Sequence, residues 1–189
     1  MKNEEKLQTI NKVVKECMRP YQYHNYTHAV DVYNTTQQLT SLGNINGNNR
    51  FLLETAALLH DVIYIVGNND NEERSADFAR IYLPQLDYSS DEIETVSKLI
   101  LATKMPQQPE DFLEKIICDA DLDNLGRPDF FEKGESLRQE LELPSEGWYK
   151  CQMGFLTGHK YHTPMARELR GKGKEKNIYL LENMIQEVR

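Results

Sequence analysis

Apolar residues recur at helical spacing along almost the whole chain of 189 residues. One apolar stripe covers residues 7–18 and ends before Pro20. A second covers residues 29–39, with Thr27 as its predicted N-cap and Gly43 as its end. No segment alternates apolar and polar positions over a useful length, as a half-buried strand would. The pattern therefore predicts an all-α fold of about eight to ten helices.

The most buried helix is predicted at residues 51–65, because this segment is apolar on nearly every side. Two segments are predicted to be loops: residues 43–49, which are rich in Asn and Gly, and the basic, flexible residues 171–174. The last helix is predicted to end near Val188. No repeat or linker interrupts the pattern, which predicts one domain over residues 1–189. Further helices are predicted at residues 71–83, from Ser89, at residues 112–122, from Pro128 and around Trp148.

Composition narrows the classes of partner. The formal net charge is -8, from 22 Lys and Arg against 30 Asp and Glu. This balance argues against duplex nucleic acid or an anionic membrane surface as the main partner, because both require a basic footprint. The three cysteines form no C-x-x-C pair, and no apolar stretch is long enough to span a bilayer. Together with an N-terminal segment unlike a signal peptide, these features predict a cytoplasmic protein.

Polar residues interrupt the most apolar segment at His60-Asp61. Burying an imidazole beside a carboxylate in a helix of this kind is costly unless something compensates both groups. A divalent cation does so, because it accepts both ligands and neutralises the carboxylate. A single His-Asp dipeptide also arises easily by chance, so this pair alone carries little weight.

Two further groups strengthen the case for a metal site. His24 and His28 lie four residues apart, which places them on one face if both are helical. Asp119, Asp121 and Asp123 repel one another unless they are solvated or gathered around a cation, and Asp121 lies between two apolar residues. Each group alone has a plainer explanation, an exposed pair or a solvated loop, but their combination favours a bound cation.

The order His28, His60-Asp61, Asp121 resembles the metal-binding signature of the HD superfamily of metal-dependent phosphohydrolases. Residues 23–32 are similar to the Tyr-His-Asn-x-x-His…Asp-Val segment of the cyclic-nucleotide phosphodiesterases, and Ala120-Asp121-Leu122 to their Ala-Asp-Leu. The resemblance is closer to small bacterial predicted metal-dependent HD superfamily phosphohydrolases, and it covers about residues 20–185. The segments that carry it are residues 60–64, 71–76, 102–104, 119–126 and 138–140.

The resemblance implies a metal held between helices by His28, His60, Asp61 and Asp121. This nitrogen and oxygen donor set suits Mn²⁺, Fe²⁺, Mg²⁺, Ni²⁺ or Zn²⁺. With positions left open, the metal would activate a water for attack on phosphorus. The predicted function is hydrolysis of a phosphate ester or anhydride in a nucleotide or a similar small molecule. Some relatives carry His where this chain has Asn71, and no His lies between Asp61 and Asp121, so one metal is predicted.

The phosphodiesterase-like segment implies that His24 is the general acid for the leaving oxygen; a local hydrogen-bonding role is the alternative. Glu72 or Glu73 is predicted to orient the attacking water, unless they pair with Arg74 at the surface.

Lys104 and Arg138 are predicted to clamp phosphate, with a solvated or structural charge as the alternative. Tyr23 is expected either to line the pocket or to pack in the core. Asp119 is predicted to hold a ligand histidine in one tautomer. His159 and His162 lack carboxylate neighbours in the sequence and are predicted to be surface or packing residues.

Two alternatives to an enzyme stay open from the sequence. One is a non-catalytic module that binds a metal and a phosphorylated ligand, and the other is a metal that only stabilises the fold. The complete set of four ligands favours the enzyme. The oligomeric state is open as well, and an assembly of identical chains is compatible with the sequence.

Overall fold

The computed structural model describes residues 2–187, and within this range the chain forms only helices and their connections. The α-helices of this range are α1 Asn3–Cys17, α2 Tyr26–Leu42, α3 Gly47–Leu59, α4 Asn71–Tyr82, α5 Ser90–Ala102, α6 Phe112–Asp121, α7 Phe130–Glu140, α8 Trp148–Gly158 and α9 Pro164–Glu187. Two 3₁₀ helices, Leu83–Leu86 and Asp123–Gly126, follow α4 and α6. The predicted all-α class is confirmed. None of the described helices is both long enough and apolar enough to cross a membrane.

Side-chain caps explain where several helices begin. Ser89 caps α5 and Asp111 caps α6, each in a reciprocal pair with the Glu three residues later. The cap of α2 is Asn25 rather than the predicted Thr27, because the Asn25 side chain accepts hydrogen bonds from the backbone N–H groups of Thr27 and His28. This cap fixes the position of His28 within the first turn of α2.

The most buried helix, α3, begins earlier and ends earlier than the apolar pattern predicts. Residues 51–59 are all buried, but the helix ends at Leu59. His60 and Asp61 therefore lie in the turn after the helix and not inside it. Asn71 holds the chain that follows, because its side chain accepts from the Ile65 N–H at 3.0 Å and donates to the Ile65 carbonyl at 3.2 Å.

The prediction of a flexible loop at residues 171–174 is wrong, because α9 runs through this segment without a break. A Cβ atom on Gly173 would lie 2.0 Å from the carbonyl oxygen of Gly126. A Cβ atom on Gly126 would lie 2.5 Å from the Arg170 carbonyl oxygen. These two glycines therefore allow the backbones of α9 and the second 3₁₀ helix to touch. Val188, the predicted end of the last helix, lies outside the described residues.

The core is centred on α3, which packs against α1, α2, α5 and α6. On one side α4 packs against α5, and on the other α9 packs against α8 and the second 3₁₀ helix. Arg170 and Asp123 form an ion pair across the latter contact, with Nε and Oδ1 2.6 Å apart. As a result, α9 supports the segment that directly follows Asp121.

Candidate metal centre and its cavity

The four predicted metal ligands come from three elements that pack against one another. His28 lies in the first turn of α2, His60 and Asp61 follow α3, and Asp121 is the last residue of α6. His28, His60 and Asp61 are buried, and the Asp121 side chain is largely so. Packing of α2 and α3 against α6 brings these side chains together from positions far apart in the chain.

The ligand atoms of His28, His60 and Asp121 all lie within 4.8 Å of one another, and an oxygen of Asp61 lies close to both histidines. The Nε2 atoms of His28 and His60 are 3.3 Å apart. Asp121 Oδ1 lies 3.4 Å from His28 Nε2 and 3.5 Å from His60 Nε2. Asp61 Oδ2 lies 3.1 Å from His60 Nε2 and 3.6 Å from His28 Nε2. This is the arrangement of donors around an ion.

The donor set fits a divalent cation. The Nδ1 atom of His60 is 2.9 Å from the Ala57 carbonyl oxygen, which can only accept. This contact places the proton on Nδ1 and leaves a lone pair on Nε2, facing the Nε2 of His28 and two carboxylates. Ligands at roughly 2.0–2.2 Å from one cation lie roughly 3.0–3.4 Å from each other, close to the spacing observed here.

Mutual interactions keep both carboxylates of the centre ionised. Burial raises the pKa of Asp121, but hydrogen bonds with His28 and His60 lower it by more. The resulting pKa is about 2. Burial also raises the pKa of Asp61, but the adjacent His60 lowers it by more. The pKa of Asp61 is therefore lowered overall. Ionised carboxylates are the form that binds a metal.

His24 lies beside the centre and is held by Glu140, a residue that the sequence did not single out. The Nδ1 atom of His24 hydrogen-bonds Glu140 Oε1. Glu140 Oε2 accepts from the backbone N–H groups of Tyr23, at 2.7 Å, and His24, at 2.9 Å. The His24 ring also stacks on Tyr64, with centroids 3.8 Å apart. The one sequence signal for Glu140 was its place in the family-like segment at residues 138–140.

A cavity of 470 Å³ opens beside the centre. Its metal end is formed by His60, Asp61 and Asp121, with Tyr23, His24 and Glu72 nearby. Tyr23 is buried and also lines the cavity, so the two roles expected for it, core packing and pocket lining, both apply. The far end of the cavity is formed by side chains of α7, α8 and the segment between them. The volume is sufficient for a small organic ligand.

The structure does not bring the predicted phosphate clamps to this cavity. Lys104 pairs with Glu73 outside the lining. Arg138 pairs with Glu135 and donates to the Leu143 carbonyl oxygen.

Lys133 is the one lysine or arginine among the described residues that line the cavity, and it also hydrogen-bonds Asp31 at 2.9 Å. Lys133 and Leu137 lie four residues apart on one face of α7, and Leu141 directly follows the helix; all three line the cavity, so Arg138 points elsewhere. This periodicity was the sequence signal for Lys133.

Asp119 has a role other than the predicted one. Its two carboxylate oxygens accept hydrogen bonds from the backbone N–H groups of His162 and Thr163, both at 2.7 Å. Asp119 therefore anchors the start of α9, whereas the Ala57 carbonyl orients the ligand His60. Of the two candidate glutamates, Glu72 lines the cavity, and burial raises its pKa.

The HD domain family model matches residues 25–123, just over half of the chain. The chain therefore belongs to the HD domain family, as the sequence motifs predicted. His28, His60 and Asp121 form a group that can hold a metal ion, and family membership supports a metal-dependent phosphohydrolase in general terms. No protein with a curated description matches this chain.

Two solved structures share the fold. Bacillus subtilis YpgQ, in complex with ADP, has a TM-score of 0.72 and 15% identity over 96% of this chain and 97% of its own. A predicted HD superfamily hydrolase from an uncultured Thermotogales bacterium has a TM-score of 0.66 and 19% identity over 96% of this chain and 92% of its own. At these identities the similarity establishes the fold alone.

Proposed function

We propose that this protein is a metal-dependent phosphohydrolase that cleaves a phosphate ester or anhydride of a nucleotide or a similar small molecule. The observation that carries this proposal is the convergence of four donor atoms, 3.1–3.6 Å apart where His28 and His60 face Asp61 and Asp121, at the end of a ligand-sized cavity. A site that only stabilised the fold would have no need of an adjoining cavity of 470 Å³.

His28, His60, Asp61 and Asp121 would hold one divalent cation. When bound, such a cation polarises a phosphoryl oxygen and lowers the pKa of a water, which supplies a nucleophile at neutral pH. The second-metal histidines of some relatives have no counterpart here. The residue at the corresponding position, Asn71, instead has its side chain engaged with the backbone of Ile65 and Asn68.

His24 is the proposed general acid. Its Nδ1 atom is occupied by Glu140, so Nε2 is the ring nitrogen left to deliver a proton to the leaving oxygen. Stacking on Tyr64 and the hydrogen bonds to the adjacent backbone restrict how far this ring can turn. Glu72 lines the same end of the cavity and is the proposed residue for orienting the attacking water.

Lys133 is the proposed phosphate contact, in place of Lys104 and Arg138. It lines the cavity, and its link to Asp31 positions the ammonium group without burying it. The presence of ADP in the YpgQ complex, on a fold shared over nearly the whole chain, supports a nucleotide as the substrate.

Reconstitution with metal tests the proposal. The protein is stripped of metal, reloaded with Mn²⁺, Mg²⁺ or Zn²⁺, and assayed for hydrolysis of nucleotides and phosphodiesters by separating the products. We expect turnover with at least one metal and substrate, and its loss in Asp61→Ala. Asp77→Ala, at an exposed position of α4, is the matched control. Equal activity of Asp61→Ala and wild type would contradict the assignment, and metal-dependent binding without turnover would favour a non-catalytic module.

A further inference from the structure

The far end of the cavity differs in character from the metal end. Apolar side chains of α7, α8 and the turn that follows α7 line it, among them Leu137, Leu141, Trp148 and Phe155. Such side chains contribute nothing to holding a cation or a phosphate. They are suited to a flat or apolar part of a ligand, and aromatic rings among them can stack on a planar group.

One polar group stands out among these apolar side chains. Gln152 is 9% exposed and lines the cavity, and its amide has no hydrogen-bond partner among residues 2–187. A ligand that covered this amide without bonding it would cost free energy, because the amide would lose its hydrogen bonds to solvent. A ligand that supplies both a donor and an acceptor would remove this cost.

Gly134 seats the Gln152 amide against α7. A Cβ atom on Gly134 would lie 2.0 Å from Gln152 Nε2, so any side chain at this position would displace the amide. Glycine inside a helix is itself unfavourable, by about 0.5–1 kcal/mol relative to alanine. Glycine at position 134 therefore leaves the space that the Gln152 amide occupies in the cavity wall.

We propose that Gln152 and the surrounding apolar side chains form a base-recognition subsite. A nucleobase would lie against Trp148 and Phe155, and the Gln152 amide would hydrogen-bond the base edge. Nucleobases present donors and acceptors along their edges, which a glutamine amide can match. A purely apolar group would leave the amide unpaired. The inference rests on the proposed function, because it takes the phosphate of the same ligand to lie at the metal end.

Trp148 provides a direct probe of this subsite, since it is the only tryptophan of the chain. Metal-loaded protein is titrated with AMP, GMP, CMP, UMP and ribose 5-phosphate, and binding is followed by tryptophan fluorescence and by calorimetry. We expect at least one nucleotide to bind about tenfold or more tightly than ribose 5-phosphate and to change the fluorescence.

Gln152→Leu removes the amide and keeps a similar volume. In this variant we expect the preferred nucleotide to bind about tenfold more weakly, while binding of ribose 5-phosphate changes less than about twofold. Gly134→Ala displaces the amide without deleting it, and should weaken the same nucleotide in the same direction. Gln85→Leu, at an exposed position of the first 3₁₀ helix, is the matched control and should leave all affinities unchanged. Circular dichroism and thermal unfolding establish that each variant is folded.

Three results overturn the proposal: no nucleotide binds, ribose 5-phosphate binds as tightly as every nucleotide, or folded Gln152→Leu keeps the wild-type preference. If Gln152→Leu does not fold, Gly134→Ala decides by the same criterion. Failure of the proposed function has a different signature. Base preference lost in Gln152→Leu, without hydrolysis of any substrate, would refute the proposed function and support the subsite. Hydrolysis without base preference would do the reverse.

Discussion

The two ends of the cavity are built from different kinds of side chain and from different parts of the chain. At the metal end, His28, His60, Asp61 and Asp121 face one another, and all of them lie within the segment that the HD family model matches. At the far end, apolar side chains and Gln152 come from α7, α8 and the segment between them, beyond that match.

This difference separates the reaction from the choice of substrate. The metal end holds groups that could serve any phosphate, because nothing there distinguishes one organic remainder from another. Among residues 2–187, the far end has no metal-binding cluster, but it has one amide without a hydrogen-bond partner. All four proposed metal ligands thus lie in the family segment, whereas the apolar part of the cavity and Gln152 come from the later helices. Four predictions test this division, in order of decreasing effect.

The largest effect should follow from removing a ligand at the metal end. His60→Ala is expected to lose the bound metal and to lower phosphate release by more than about 1000-fold, because Nε2 of this residue faces all three other ligands. Elemental analysis should show about one metal per chain in the wild type and almost none in the variant. His162→Ala is the control, since only the backbone of that residue contacts Asp119. Two metals per wild-type chain would contradict a mononuclear centre.

His24 should matter most when the leaving group is poor. With an alkyl phosphate substrate we expect His24→Ala to lower kcat by about 100-fold, and with p-nitrophenyl phosphate by only a few fold, because p-nitrophenolate leaves without a proton. Glu140→Gln should reproduce the pattern more weakly, since it loosens the His24 ring. The same loss for both leaving groups would show that His24 has another role.

The packing of α9 against the second 3₁₀ helix should contribute to the stability of the whole fold. Gly173→Ala is expected to cost about 1–3 kcal/mol of unfolding free energy, because its methyl group would collide with the Gly126 carbonyl oxygen. Gly171→Ala, where no atom lies within 4 Å of the added group, should instead stabilise α9 by up to about 1 kcal/mol. Urea unfolding measures both changes in free energy. Destabilisation by both variants would contradict a continuous helix through residues 171–174.

The smallest effect concerns His159, the residue that follows α8. Burial, together with the nearby Lys174, lowers its pKa to about 4. Since the unfolded chain binds this proton near pH 6.5, stability should fall as the pH decreases from about 6.5 to 4. His159→Gln should reduce that loss by about 1 kcal/mol, after allowance for partial exposure. Denaturant unfolding at pH 7 and pH 4.5 measures it, and an unchanged pH dependence would contradict the assignment.

The candidate metal site could be proposed from the sequence because several of its residues have local signatures. His60-Asp61 interrupts an apolar run, and Asp121 lies between two apolar residues at the end of a helix. Capping boxes such as the one at Ser89 likewise predicted where helices begin. The apolar run failed to show that α3 stops at Leu59, because buried turns are as apolar as buried helices.

Glu140 was missed because it meets its partners only over a long distance in the chain. Glu140 contacts His24 across 116 residues, and no local pattern links the two. Lys104 and Arg138 are ordinary basic residues whose partners, Glu73 and Glu135, take them away from the cavity. Which cation faces a cavity depends on how a helix is rotated, and packing decides that rotation.

By itself, the sequence determined the helical class and the family, and it predicted the candidate metal ligands, because periodicity and charged residues in apolar surroundings are local properties. Tertiary structure decided the rest. A glycine in a sequence is compatible with a flexible loop or with close packing, and only the approach of Gly126 to Gly173 shows which applies. A glutamine is compatible with any surface, and only burial without a partner marks Gln152 for a ligand.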